Sequence, residues 1–322
     1  MNELVSLVFI ALGVVLLYFG GEWLVRSSVS LARNWRVSAM VVGLTVVAFG
    51  TSSPEMAASL AAALMDSPAI AIGNVVGSNI FNIMVILGLT ALMAPFLVKS
   101  EFIKREVPLM IGVALLLFPI LYFGNDLNRL EGLIMLALLV LYVWFLYRLS
   151  PGDPAEVQSE YEQEYGDARK TTPSWQAYLG VLLGLVLLVL GARLLVEGSV
   201  DLARGLGVSE LVIGLTIVAA GTSLPELATS IVAAIRRQPD IALGNIVGSN
   251  IFNILGILGV TALVQPIGLP WETIQRDMWV MLGISLLLWF FIARGARLGR
   301  KRGAALLALY LAYVALLILT GA

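Results

Sequence analysis

VVAFGTSSPEMAASLAAAL at residues 46–64 and IVAAGTSLPELATSIVAAI at residues 217–235 are two versions of one segment. A second pair follows: GNVVGSNIFNI at 73–83 and GNIVGSNIFNI at 244–254. Gly50 to Gly221 and Gly73 to Gly244 are both 171 residues apart. The chain is therefore a duplication. Each copy places a glutamate, Glu55 or Glu226, inside an otherwise apolar run. A carboxylate in hydrocarbon is expensive and marks function by default, with its partners close by.

The 322 residues are 59% hydrophobic and 13% charged, with a mean hydropathy of +0.94. Soluble domains are about 45–50% apolar and about 25% charged. The chain reads as an all-α, multi-span membrane protein. A net charge of -1, with no basic patch among aromatics, gives no case for nucleic acid. Cysteine and histidine are absent, which removes disulfides, thiolate metal sites and the usual general base. No cofactor and no obligate protein partner are expected.

A helix needs about 20 apolar residues to cross a bilayer. Ten candidate spans emerge: 4–25, 37–65, 68–93, 107–124, 130–148, 176–197, 208–235, 240–264, 277–294 and 303–320. The N-terminus lacks a basic leader region and reads as a retained first span. The polar, acidic stretch 149–175 reads as a cytoplasmic linker between repeats at 1–148 and 176–322. With both termini outside, sixteen of the twenty Lys and Arg residues fall in inside loops. Arg129, Arg193, Arg204 and Arg276 are the four outside, so both termini are expected outside the cell (inner) membrane. Trp23, Trp144, Trp175 and Trp271 fall near span ends, as interfacial anchors should.

Five spans per copy is an odd number, so the second copy enters the membrane inverted. Loop charges agree. Met65-Asp66-Ser67 after the first glutamate span has no base, while its counterpart carries Arg236 and Arg237. Inverted repeats with broken core helices belong to secondary transporters, with the site near the midplane.

Proline in a helix removes a donor and frees the carbonyl four residues back. Pro54 frees Gly50 and Pro225 frees Gly221. In lipid, such carbonyls need a partner. Thr51 and Ser52 lie four and three residues before Glu55, on one helical face. Thr222, Ser223 and Glu226 repeat this. In the second motif Asn74, Ser78 and Asn82 form a stripe at i, i+4 and i+8, repeated by Asn245, Ser249 and Asn253. Gly73 with Gly77, and Gly244 with Gly248, allow close helix approach. For Asn74, Asn79, Asn245 and Asn250, interhelical bonding and ion ligation are both open; for Asn82 and Asn253 ligation is favoured. These are hard oxygen donors, suited to Ca²⁺ or Na⁺, whereas Mg²⁺ dehydrates reluctantly. Two carboxylates neutralise one Ca²⁺, and Na⁺ ions competing for the same oxygens give a coupling device.

GTSSPE and GTSLPE, each followed by GNxVGSNIFN, resemble the α-repeats of the cation/calcium antiporter superfamily, and most of all its prokaryotic Na⁺/Ca²⁺ exchangers. The alignable repeats cover 37–95 and 208–266. The resemblance implies clustered midmembrane cation sites, alternating access by sliding of spans one and six, and exchange of Na⁺ for Ca²⁺. Carried onto this chain, the implied ligands are Glu55, Glu226, Thr51, Ser52, Thr222, Ser223, Ser78, Ser249, Asn82 and Asn253, with backbone carbonyls from Ala48 and Ala219. Some relatives, K⁺-dependent ones included, carry Asp where this chain has Asn253. The 149–174 loop is too short for a large Ca²⁺-sensing domain.

A H⁺/Ca²⁺ antiporter is the nearest rival, since glutamates can carry protons. A cation channel would use the same oxygens without a counter-ion. An intramembrane protease is rejected: the serine type lacks a histidine, and Asp66, Asp126 and Asp240 sit at span ends. No enzyme activity is expected.

Overall fold

The computed structural model describes residues 3–124, 126–149, 173–206, 219–268 and 270–320. In the first half these form α1 (Glu3–Trp35), α2 (Ala39–Thr51), α3 (Ser53–Leu64), α4 (Pro68–Met93), α5 (Phe102–Gly124) and α6 (Arg129–Leu149). The second half gives α7 (Ser174–Gly205), a helical turn Ala219–Gly221, α8 (Leu224–Ile235), α9 (Pro239–Val264), α10 (Trp271–Ala293) and α11 (Arg300–Thr320). Among the described residues seven helices are long and apolar enough to cross a membrane. The bent pair α2–α3 adds an eighth. The linker 150–172 and the first part of the span expected at 208–235 lie outside the described residues.

Several spans differ from expectation at their ends. Helix α1 has 33 residues, about 50 Å at 1.5 Å per residue, against about 30 Å of hydrocarbon. Arg26 and Arg33, expected in a loop, are in α1; Lys104 and Arg105 are in α5; Arg276 is in α10; Arg193 and Arg204 are in α7. Hydropathy marks only the apolar part of a helix, and these helices continue past it. The 37–65 span is not one helix either. It breaks at Ser52 and bends by 45°.

The 171-residue offset runs through the architecture. Ser53–Leu64 and Leu224–Ile235 match end for end, as do Arg129–Leu149 and Arg300–Thr320. Contacts between the halves are reciprocal, as a two-fold relation demands. Strand β1 (Phe96–Leu97) pairs with β4 (Arg297–Leu298), and β2 (Asp126–Leu127) with β3 (Ile267–Gly268). The registers Phe96↔Leu298 and Leu127↔Ile267 exchange under the offset.

Helices α1 and α7 pack the same way. A Cβ on Gly20 would stand 3.0 Å from the Gly184 carbonyl, and one on Gly13 would stand 2.8 Å from that of Gly191. Residue numbers rise along one helix as they fall along the other, so these equivalent helices run antiparallel. Glycine is required here because the backbones touch.

The molecule is apolar on its outside and holds a cluster of polar and acidic groups inside a largely apolar core. Leu4, Val8, Leu12, Val15 and Phe19 lie exposed along α1, while Glu55, Glu226, Asn82 and Asn253 are buried. Helices α4 and α9 form the centre. Only a lipid-like surround suits such a surface.

Candidate cation site

The two proline motifs do not kink helices from within, as the spacing suggested. Pro54 and Pro225 sit in the first turns of α3 and α8. Proline is well placed there, since the missing N–H has no helical partner. The preceding serines carry the break. Ser52 has φ -81°, ψ 6° and Ser223 has φ -89°, ψ 6°, both in the bridge region between helix and turn. Glu55 and Glu226 then fall in the first turn of their helices, where the helix dipole favours an anion.

Each carboxylate is held by the other repeat. Ser52 Oγ donates to Glu226 Oε1 at 2.9 Å, and Ser223 Oγ donates to Glu55 Oε1 at 2.8 Å. Each acid is thus tied to the serine three residues before the other acid. Both are 1% exposed. Among the described residues, neither forms an ion pair. Two buried anions facing each other without a cation are strongly unfavourable, so the site calls for positive charge.

Helices α4 and α9 supply the remaining groups from π-helical turns, Asn82–Ile86 and Asn253–Leu258. Such turns are common at functional sites. Asn82 Nδ2 donates to Asn250 Oδ1, and Asn253 Nδ2 to Asn79 Oδ1, both at 2.9 Å. The side-chain oxygens of Asn250 and Asn79 thereby serve as acceptors between the repeats. Asn74 Nδ2 binds Ser59 Oγ at 2.8 Å and the Glu55 carbonyl at 3.1 Å. Asn245 Nδ2 binds Ser230 Oγ at 3.0 Å and the Glu226 carbonyl at 3.3 Å. These bonds tie each glutamate helix to the central helix of its own repeat.

After this accounting, six buried oxygens of the expected ligands have no hydrogen-bond partner: Glu55 Oε2, Glu226 Oε2, Asn82 Oδ1, Asn253 Oδ1, Thr222 Oγ1 and Ser249 Oγ; Ser28, Thr229, Gln238 and Thr261 hold the others among the described residues. Buried acceptors are rarely left so, and Ca²⁺ takes about 6–8 oxygens in flexible geometry. Ser52 and Ser223 hold the carboxylates, and Ser78 is buried on α4. Thr51 Oγ1 donates to Asn245 Oδ1 at 3.0 Å. The Ala48 carbonyl already accepts the Ser52 N–H at 3.0 Å. Ala219 opens the turn that leads to Ser223.

Sequence reasoning missed a second pair of equivalent acids, Glu106 and Asp277, one fully buried and one half-buried. Glu106 is fully buried, bound by Arg105 Nε at 2.5 Å and by the Tyr142 hydroxyl at 3.1 Å. At the equivalent places Arg276 Nε meets Asp277 at 3.1 Å, and the Tyr313 hydroxyl donates to Asp277 at 3.0 Å. Each cluster braces two neighbouring helices, α5 to α6 and α10 to α11. The expected span starts, 107 and 277, put these acids at loop edges and hid them. The signal was an Arg-acid pair recurring at 171.

The chain matches the family model for sodium/calcium exchanger protein over residues 5–148 and 176–319, segments whose ends are again 171 apart. It is 42% identical to the putative antiporter CaxA of Alkalimonas amylolytica, over 98% of this chain and 99% of that one. It is 34% identical to the sodium/calcium exchanger MaX1 of Methanosarcina acetivorans, over 97% and 98%. A solved structure of the sodium-calcium exchanger NCX_Mj, soaked without Na⁺ or Ca²⁺, superposes with a TM-score of 0.82 at 33% identity, covering 98% of this chain and 99% of that one.

Proposed function

We propose that this chain, which belongs to the sodium/calcium exchanger family, is a secondary antiporter exchanging Na⁺ for Ca²⁺ at one midmembrane site by alternating access. It is a multi-pass membrane protein and an ion exchanger by family, not an enzyme. The observation that carries the reading is the set of six unpartnered buried oxygens, contributed by both repeats and including one oxygen of each glutamate. With a net charge of minus two and, among the described residues, no basic partner, such a cage suits one Ca²⁺. Na⁺ ions sharing the same oxygens would displace it, so the two cargoes occupy the site by turns.

In this reading the chain has ten spans in two inverted five-span repeats, with both termini outside the inner membrane. The antiparallel packing of the equivalent helices α1 and α7 supports the inversion. The ligands would be Glu55, Glu226, Asn82, Asn253, Thr51, Thr222, Ser52, Ser223, Ser78 and Ser249, with the carbonyls of Ala48 and Ala219. Thr51 gives its hydroxyl proton to Asn245 and keeps its oxygen lone pairs free to ligate.

A H⁺/Ca²⁺ antiporter is the second reading. Protons also neutralise buried carboxylates, and the 42% identical relative is named an antiporter without a coupling ion. Purified protein in liposomes, with the voltage clamped, separates the two. Ca²⁺ uptake driven by an outward Na⁺ gradient, and absent with a pH gradient alone, is the expected result. Uptake driven only by pH overturns the Na⁺ reading. Uptake without any internal exchangeable ion makes the protein a channel.

A further inference from the structure

Asparagine as a cation ligand has a problem that carboxylates do not. One end of its amide attracts a cation and the other repels it. Something must decide which end faces the ion.

At Asn82 and Asn253 the decision is visible. Their Nδ2 atoms are taken by Asn250 Oδ1 and Asn79 Oδ1 at 2.9 Å. Their Oδ1 atoms have no partner. Asn79 and Asn250 are locked in turn. Asn79 Nδ2 donates to the Asn250 carbonyl at 3.3 Å and meets Met281 Sδ at 3.7 Å. Asn250 Nδ2 donates to the Asn79 carbonyl at 3.4 Å and meets Met110 Sδ at 3.6 Å. All four side chains are buried. Turning Asn253 over would set its carbonyl against Asn79 Oδ1, acceptor to acceptor, and lose the bond as well.

We propose that Asn79 and Asn250 are positioning residues that aim the amide carbonyls of Asn253 and Asn82 at the cation. The proposal rests on the cation-site reading above. It carries a consequence for specificity. The Oδ1 of Asn79 demands a donor from residue 253, which an amide has and a carboxylate lacks. The clamp thus favours neutral ligands at both positions and keeps the site at two carboxylates, matched to one divalent ion. It also runs between repeats: each repeat aims the other's ligand.

A double-mutant cycle tests it. Aspartate has two equivalent oxygens, so at position 253 it needs no aiming. In the Asn253 protein, Asn79→Ala is expected to raise the Ca²⁺ concentration for half-maximal Na⁺-driven uptake about tenfold, the scale of one charge-assisted contact. In the Asn253→Asp protein the same substitution is expected to change it less than about twofold, or to improve it by removing the opposed acceptor. An equal loss in both backgrounds means that Asn79 is a structural brace, and overturns the inference. So does no loss in either. If Asn79→Ala does not yield a monodisperse protein, Asn250→Ala with Asn82→Asp is the same cycle in the other repeat. Asn79→Ser, which keeps a hydroxyl acceptor, is expected to rescue part of the loss. Glu55→Gln is the control. If it abolishes uptake while the cycle is additive, only the clamp fails; if it retains uptake, the site itself fails.

Discussion

The two repeats agree in the middle and disagree at the edges. In the middle the main interactions have twins: Ser52 on Glu226 and Ser223 on Glu55, Asn82 on Asn250 and Asn253 on Asn79; the Thr51 bond to Asn245 is the exception, since Thr222 makes no such bond. Among the ion pairs at the edges, several twins are lost or reversed, although Arg105–Glu106 and Arg276–Asp277 keep theirs. Glu22 and Arg26 pair one turn apart at 3.3 Å, and their counterparts Arg193 and Glu197 pair with the signs exchanged, at 2.7 Å. Arg236 reaches Glu22 at 2.6 Å, but the residue equivalent to Arg236 is Met65. Lys99 meets Asp240 at 2.6 Å, where the other repeat has Pro270 and Ala69. In the exchanger reading, a site at the centre of a two-fold relation is built from both halves, which constrains divergence there. The ends carry no such constraint. In an inverted duplication they also face opposite sides of the membrane, where charge preferences differ.

The sharpest way to break the comparison is at the acids. Glu55→Gln and Glu226→Gln are each expected to lower Ca²⁺ transport in liposomes at least about a hundredfold, the scale of a lost buried charge contact. Expression should be intact. Transport surviving in one of them would show that the halves are not equivalent. One step weaker are the serines that cross over. Ser52→Ala and Ser223→Ala should each cost roughly tenfold in Ca²⁺ half-saturation, as one hydrogen bond to a charged group. The two losses should agree within about threefold; a larger gap would make the symmetry one of shape alone.

Stability extends the series. Gly20→Val and its counterpart Gly191→Val would force side chains against backbone atoms 2.8 Å away, Leu188 N and Leu17 N. Each should destabilise by about 1–3 kcal/mol, read as a lower midpoint in thermal unfolding in detergent. At the edge, Arg236→Ala removes one of two partners of nearly buried Glu22. Since Arg236 is 39% exposed, screening reduces the effect to about 1 kcal/mol. Met65→Ala, at the equivalent place, should leave the midpoint unmoved.

Much of this was legible in the sequence. The 171-residue offset, read from four short motifs, recurs in the helix ends and the strand registers. Glu55 and Glu226 stood out because charge in apolar sequence is costly wherever it lies. Helix ends were misplaced at Arg26, Lys104 and Arg276, since apolar character ends before the helix does. Glu106 and Asp277 were overlooked for the same reason. The roles of Asn79 and Asn250 could not be read at all: their spacing suits both bonding and ligation, and the partner that decides lies in the other repeat.

By itself, then, the chain determined its membrane class, its duplication, and the oxygen-rich chemistry of its centre. These follow from composition and local periodicity, which need no neighbour. Only the tertiary structure decided that each carboxylate is held by the opposite repeat, which end of each asparagine faces inward, and which oxygens remain without partners. Those are properties of hydrogen bonds between residues about 170 positions apart. No local pattern encodes such pairings, because they exist only after the two halves have packed.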